Sequence, residues 1–168
     1  PKTDTAKLLV EQAVSQLRAA SAALATLRNE MQSLAASLPE YPVVMGMFGV
    51  GPALGPQLMA EIGDVRRFHS KKALVAFAGI DAPPYQSGQM EVRSRSISKR
   101  GSSALRRTLF LVMSAILRCS PADEPVYQFM DKKRAEGKPY RVYMMASANK
   151  FLRIYYATVK RHLDSLEA

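Results

Sequence analysis

The motif Tyr85-Gln86-Ser87-Gly88 contains a serine that could act as a nucleophile. A serine followed by glycine on an exposed loop can present its hydroxyl with little steric hindrance. The hydroxyl is a poor nucleophile at its ordinary pKa and needs a base, a metal ion or nearby positive charge. Ser94, Ser96 and Ser98 follow in the same polar segment and qualify almost as well. Residue chemistry alone is therefore a weak signal for a serine nucleophile, and Ser87 is one of several candidates for that role.

Basic residues lie close to this serine in the sequence. They are Arg93, Arg95, Lys99, Arg100, Arg106 and Arg107. Arg106 and Arg107 fall in the first turns of a predicted helix, where a cation opposes the helix dipole and costs stability. Such a placement indicates a ligand, and arginine favours bidentate contacts with phosphate. The run predicts phosphate binding, and it could stabilise charge that develops on phosphorus during serine attack. A solvated basic face is the alternative.

The turn Gly49-Val50-Gly51-Pro52 lies between two apolar stretches. This pattern is typical of a helix–hairpin–helix element, whose glycines let the backbone approach a phosphate closely. The next helix would offer free N–H groups and the positive end of its dipole. We therefore predict that Gly49 and Gly51 contact a nucleic-acid backbone without reading its sequence. An ordinary tight turn between helices is the alternative.

The remaining residues with catalytic chemistry form no motif. His69 and His162 have no Cys or His partner at metal-ligand spacing, which favours surface or packing roles. Four scattered carboxylates leave a Mg²⁺ pair as a minor alternative: Glu61, Asp64, Asp81 and Glu91. Arg153 with Tyr155 and Tyr156 leaves a tyrosine recombinase as another.

The elements that must position these residues begin with a long helix. Apolar residues recur at every seventh position from Val10 to Leu38, and a second register runs from Ala13 to Leu34. This alternation of three and four is the seam of a coiled coil. No Gly or Pro interrupts the stretch before Pro39 ends it. We predict an oligomerising coiled-coil helix over residues 1–40, with packing on its own domain as the alternative.

Residues 41–168 are predicted to form a compact helical domain. Helices are expected from Pro52 to Gly63 and from Ser70 to Gly79, and again after Gly101, from about 123 to 135 and from about 140 to 166. The polar stretch between Ile80 and Gly101 predicts a loop or small β-hairpin. The fold class is therefore mainly α, with a helix–hairpin–helix element and a serine-bearing loop or hairpin.

Composition narrows the functional classes. Among 168 residues, 48% are hydrophobic, and 24 Lys and Arg exceed 14 Asp and Glu to give a net charge of +10. This excess favours a polyanionic partner, since bound phosphates release counterions. A single cysteine and no signal peptide predict a reducing cytoplasm. The longest apolar stretch, Leu109–Leu117, is far below the roughly 20 residues of a membrane span, so no membrane partner is expected. The start at Pro1 predicts a piece of a longer protein.

The ordered motifs resemble a known family: the C-terminal transposase domain of insertion sequences whose N-terminal domain is RuvC-like with a DEDD acidic set. Piv-type DNA invertases belong with them. The resemblance covers roughly residues 42–160, with Lys150 and Arg153 on the family's late basic helix. The matching motifs are Met47-Phe48-Gly49-Val50-Gly51-Pro52, Glu61-Ile62-Gly63-Asp64, Arg67-Phe68, Leu74-Val75-Ala76-Phe77-Ala78-Gly79-Ile80, Tyr85-Gln86-Ser87-Gly88, Ile97-Ser98-Lys99-Arg100-Gly101 and Leu105-Arg106-Arg107.

The resemblance implies a DNA recombinase guided by a bridge RNA that pairs with donor and target DNA. It implies that Ser87 is the nucleophile and forms a phosphoserine link to DNA. It also implies basic contacts at Lys99, Arg100, Arg106 and Arg107. Acidic residues of the RuvC-like domain would bind Mg²⁺ and complete the active site. The coiled coil would build dimers, and tetramers on DNA and RNA, in the nucleoid of a prokaryotic cytoplasm.

The RuvC-like acidic domain lies outside these 168 residues. No cofactor is therefore expected in this chain, and we expect it to bind nucleic acid and oligomerise without cutting or joining DNA. One alternative is a non-catalytic helix–hairpin–helix DNA-binding module, which binds phosphates and has no special serine. Another is a structural adaptor in which the coiled coil is the function. Steep salt dependence of nucleic-acid binding would argue against the adaptor.

Overall fold

A computed structural model describes residues 3–82, 86–87, 90–91 and 96–167 of the chain. The described chain is mainly helical, as predicted. Its α-helices are α1 (Asp4–Ala36), α2 (Tyr41–Met45), α3 (Leu54–Ile62), α4 (Lys71–Phe77), α5 (Ser103–Cys119), α6 (Pro125–Ala135) and α7 (Tyr140–Leu166). A short 3₁₀ turn covers Val65–Arg67, and two strands are β1 (Gln86–Ser87) and β2 (Met90–Glu91).

The long helix α1 leaves its apolar seam exposed. Every residue from Thr3 to Leu34 is exposed, and Leu17 retains 67% of its accessible surface. Only near its C-terminal end does α1 bury a residue, Ala35, and the helix contacts α2 and α3. The predicted long helix is thus confirmed, and most of it is not packed on the rest of the chain.

Helices α5 and α7 form the centre of the domain. Helix α7 contacts α2, α4, α5 and α6, while α3 packs on the other side of α5. Their buried residues recur at three- and four-residue spacing, which places them on one face of each helix. These residues are Leu105, Leu109, Val112 and Ile116 on α5, and Met144, Ala148, Leu152, Tyr155 and Val159 on α7. Burial of each such leucine stabilises the fold by roughly 1.5–3 kcal/mol.

Serine caps fix the starts of α4 and α5. These helices flank residues 78–102, which we call the serine segment. Ser70 Oγ accepts a hydrogen bond from Ala73 N at 3.3 Å at the start of α4. Ser102 Oγ accepts one from Leu105 N at 3.0 Å at the start of α5. Each bond satisfies an N–H group that has no partner within its helix. Ser70 therefore caps α4, and Ser102 caps α5.

The serine segment contains a two-stranded antiparallel hairpin. Gln86 pairs with Glu91, and Ser87 pairs with Met90. Of the two predicted forms, a loop or a small β-hairpin, the structure has the hairpin. The backbone of Ser87 therefore belongs to a strand within the segment that joins α4 to α5.

Candidate nucleic-acid interface

The two ends of the serine segment are held together by main-chain hydrogen bonds. Ser98 N donates to Asp81 O at 2.8 Å, Lys99 N donates to Gly79 O at 3.0 Å, and Ser102 N donates to Phe77 O at 2.7 Å. We call the paired stretches 77–81 and 98–102 the hairpin clasp. Because the clasp ties the end of α4 to the start of α5, it holds together the two ends of the segment that contains β1 and β2.

Two glycines allow the clasp to close. Gly79 has φ +65°, and a Cβ there would lie 2.7 Å from both Gly101 N and Arg106 Nη1. A Cβ on Gly101 would overlap the carbonyl group of Phe77. Backbone therefore packs directly on backbone at this point, and only glycine at both positions allows so close an approach.

Serine hydroxyls bind carboxylates on either side of the clasp. Ser98 Oγ donates to Asp81 Oδ1, and Ser102 Oγ donates to Glu61 Oε2 at 2.9 Å. These bonds are part-buried and join segments far apart in sequence, which stabilises the clasp. Ser98, one of the open nucleophile candidates, thus has a structural partner.

Three of the four carboxylates considered for a metal ion have other partners in the chain. In the described ranges no group of three His, Cys, Asp or Glu residues is placed to hold a metal. Glu61 and Asp81 each accept a serine hydroxyl. Asp64 binds Arg66, whose hydrogen bonds hold the pKa of that carboxyl below its ordinary value. The side chain of Glu91 lies outside the described residues.

Arg106 braces the clasp instead of facing solvent. Its Nη1 donates to the carbonyls of Ala78 at 3.0 Å, Gly101 at 3.0 Å and Ser102 at 3.3 Å. One nitrogen of Arg106 is thus bound by the chain's own carbonyl oxygens, which offset the cost of a cation near a helix N-terminus. The phosphate contact of Arg106 stays a prediction.

The other cations of the basic run have different placements. Lys99, Arg100 and Arg107 are exposed, and Lys99 adopts a left-handed backbone with φ 56°. Arg93 and Arg95 lie outside the described residues, as does the side chain of Ser87. The exposed members remain predicted phosphate contacts, next to the clasp.

A groove of about 970 Å³ runs between the clasp and α7. Its basic lining residues are Lys99, Arg141, Lys150 and Arg153. Ala82 and Ser96, on either side of the serine hairpin, also line it. The structure thus brings together three predicted cations from distant parts of the sequence and places them beside the base of the hairpin.

Two of these cations are oriented along α7. Lys150 Nζ donates to Pro125 O at 2.7 Å and lies 5.1 Å from the centroid of the Phe129 ring. Arg153 Nε donates to Asn149 Oδ1 at 2.7 Å. The partners of the Lys150 ammonium and the Arg153 guanidinium in these contacts are neutral. These contacts therefore leave both positive charges free to attract an anion in the groove.

Comparison with known families decides the class of this domain. A family model described as the transposase IS116/IS110/IS902 family matches residues 41–128, more than half of the 168 residues. The chain belongs to the IS116/IS110/IS902 transposase family. The matched region contains the clasp, strands β1 and β2 and all of α5, so these elements belong to a transposase domain.

Two relatives support this assignment. A probable family 20 transposase of Pseudomonas aeruginosa is 26% identical over 153 residues, which are 91% of this chain and 45% of that protein. The pilin gene-inverting protein of Moraxella bovis is 31% identical over 135 residues, 80% of this chain and 38% of that protein. The chain therefore spans less than half the length of these relatives. No helix among the described residues has the length and apolarity needed to cross a membrane.

The two glycines of the turn at residues 49–52 have different surroundings. Gly49 has φ +79°, and a Cβ there would lie 2.6 Å from Ile116 Cγ1 and 3.1 Å from Val112 O. The missing side chain of Gly49 therefore makes room for α5, and its phosphate contact stays a prediction. At Gly51 an added Cβ would meet nothing within 4 Å. Gly51 stays a predicted site of close phosphate approach, just before α3.

The tyrosines considered as nucleophiles have structural roles. Tyr155 is buried in the core, and this burial raises the pKa of its hydroxyl, so the group stays protonated at neutral pH. Tyr156 Oη donates to Phe68 O at 3.0 Å. Both observations weigh against a tyrosine recombinase centred on these residues.

Sequence reasoning missed Arg141 as a groove residue. Arg141, Met145 and Asn149 are spaced by four and line the same side of the groove from α7. This helical spacing places them on one face, which was the available signal. Spacing within α7 carries no information on the opposite wall of the groove, which comes from the clasp.

Proposed function

We propose that this chain is the DNA-contacting part of a recombinase that moves or inverts DNA, with Ser87 as its nucleophile. The observation that carries the proposal is the serine hairpin, clasped at its base beside a basic groove, within a transposase-family domain. The names of the relatives, transposase and pilin gene-inverting protein, agree with DNA strand exchange as the activity.

In the proposed step, Ser87 Oγ attacks a backbone phosphorus of DNA. A serine–phosphate bond forms, one P–O bond to a sugar oxygen breaks, and the hydroxyl proton ends on that leaving oxygen. The exposed cations beside the clasp, Arg100 and Arg107, would stabilise negative charge on the phosphoryl oxygens. Reversal of the step with a different sugar hydroxyl would join a new strand.

The proposal includes partners beyond this chain. The family resemblance supports a bridge RNA as guide, and phosphate contacts serve RNA as well as DNA. It also supports Mg²⁺ bound by carboxylates of a RuvC-like domain outside these 168 residues. The isolated chain is accordingly proposed to bind nucleic acid without cleaving it.

DNA binding by the isolated chain is expected to weaken steeply with salt. Each phosphate contact contributes a slope of about −0.9 to a plot of log affinity against log salt concentration. Arg100→Gln and Arg107→Gln should each reduce the slope by about 1, whereas Arg118→Gln, on the exposed end of α5, should leave it unchanged. Fluorescence anisotropy with duplex DNA across a salt series measures this.

Three measurements separate the alternatives: the salt series, a strand-cleavage assay of the isolated chain, and the effect of Ser87 substitution in the full-length protein. Binding that does not respond to salt would favour the structural adaptor over a recombinase. Strand cleavage by the isolated chain in Mg²⁺, lost on Ser87→Ala, would contradict the proposed need for a second domain. Salt-dependent binding with no role for Ser87 in the full-length protein would favour the non-catalytic DNA-binding module.

We also propose that α1 assembles the protein into homo-oligomers through its exposed seam. Leu17 and Leu24 lie on that seam and are 67% and 48% exposed. Leu17→Asp with Leu24→Asp should convert the oligomer to a monomer, because burying each leucine stabilises association by about 1.5–3 kcal/mol. Light scattering after size-exclusion chromatography measures the mass. Ser15→Asp, off the seam on the same helix, should leave it unchanged, and a monomeric unsubstituted protein would refute the proposal.

A further inference from the structure

The groove beside the clasp combines two kinds of surface. Its four cations are accompanied by an apolar lining, and no acidic residue is among the described residues that line it. The apolar lining residues are Ile80, Ala82, Ile97, Phe110, Phe129, Val142, Met145 and Ala146. A surface that only attracted phosphates would need no such apolar area, so the groove is suited to a ligand with both anionic and apolar parts.

An unpaired nucleic-acid strand has this composition. In a duplex the phosphates face outward and the bases are stacked inside, so a duplex offers little to an apolar groove. A single strand presents phosphates and exposed base faces along the same stretch. The volume of about 970 Å³ lies at the upper end of the roughly 300–1,000 Å³ range of ligand pockets, which leaves room for nucleotides.

We propose that this groove holds an unpaired stretch of nucleic acid at the base of the serine hairpin. The inference rests on the proposed function, because Ala82 and Ser96, which line the groove, flank in sequence the segment that contains Ser87. Phosphates lie against Lys99, Arg141 and Arg153, and bases cover the apolar lining. The groove thereby selects a strand that is already open beside the phosphate to be attacked.

Val142 is the clearest test residue in the groove. It is an apolar side chain in the first turn of α7, it lines the groove, and it is 52% exposed. Leu111 offers a matched control, since it is 42% exposed on α5 and is not among the groove residues. A substitution at either position should leave the buried core unchanged, because both side chains already face solvent.

Val142→Glu is expected to weaken single-strand binding by about tenfold, as for loss of one base contact. Duplex binding should change by no more than about twofold, and Leu111→Glu should alter neither affinity by more than that. The measurement is fluorescence anisotropy with a single-stranded DNA, a single-stranded RNA of the same sequence and the DNA duplex, at one salt concentration. Melting temperatures equal to that of the unsubstituted chain establish that both variants are folded.

The outcomes separate this inference from the proposed function. A selective loss for DNA identifies an unpaired DNA strand as the occupant, and a selective loss for RNA identifies an RNA strand; either supports the proposal. Equal losses for single strand and duplex would overturn it while leaving salt-dependent DNA binding intact. A change in oligomer mass without any change in nucleic-acid affinity would also overturn it and show a protein surface. Absence of all nucleic-acid binding by the unsubstituted chain would overturn both.

Discussion

Ser87→Ala is expected to abolish the covalent protein–DNA adduct of the full-length transposase while leaving RNA binding intact. The substitution removes one hydroxyl and no cation, so the proposed phosphate contacts at Arg100, Arg107 and the groove should persist. Loss of a nucleophile that forms a covalent intermediate lowers activity by about 10⁴-fold or more. The adduct is measured on denaturing gels with labelled DNA, and RNA affinity by anisotropy.

Neighbouring serines provide matched controls for this result. Ser94→Ala and Ser96→Ala remove the same hydroxyl from the same segment and should preserve adduct formation. Ser98→Ala removes the bond to Asp81 at the clasp, so it should reduce adduct yield in part without eliminating it. An adduct that survives Ser87→Ala at full yield would move the nucleophile to another residue.

Gly101→Ala is expected to destabilise the domain by roughly 3 kcal/mol or more, or to prevent its folding, because the added methyl group cannot be accommodated. The new Cβ would overlap the carbonyl group of Phe77, and it would lie 2.6 Å from Gly79 N. These are backbone atoms within the clasp, so a side-chain rotation cannot relieve the clash. Urea unfolding followed by circular dichroism measures the loss in the free energy of unfolding.

Gly51→Ala is the control for that prediction, since an added Cβ there meets no atom within 4 Å. Its free energy of unfolding should change by about 0.5 kcal/mol or less. If Gly101→Ala proved as stable as Gly51→Ala, the close approach of residues 77 and 101 would be wrong. Weaker DNA binding by Gly51→Ala at unchanged stability would support close phosphate approach at this turn.

The fold was predictable where local chemistry determines it. Pro39 ends the long helix, Ser70 caps α4, and the heptad register predicts an apolar seam on α1. Such signals depend on the residue and its near neighbours, so they can be inferred from sequence alone. The polar stretch with Gly88 predicted a turn, and the structure has a hairpin there.

The site was less predictable because its contacts are between distant segments. A glycine in a turn indicates freedom to approach something, but only the fold shows that Gly49 approaches α5. A cation at a helix start indicates an anionic or polar partner, and only the fold supplies the carbonyls that bind Arg106. Arg141 joins the groove because α7 packs beside the clasp, a relation that spacing within α7 does not encode.

The most direct test of the proposed function is to identify the residue that becomes bonded to DNA. The full-length protein would be trapped on a cleavable DNA substrate, digested with protease and nuclease, and its nucleotide-bearing peptide sequenced by mass spectrometry. The proposed mechanism predicts a phosphate-linked nucleotide on Ser87. A nucleotide on another serine, on a tyrosine such as Tyr156, or on no residue at all while DNA is cleaved would contradict it.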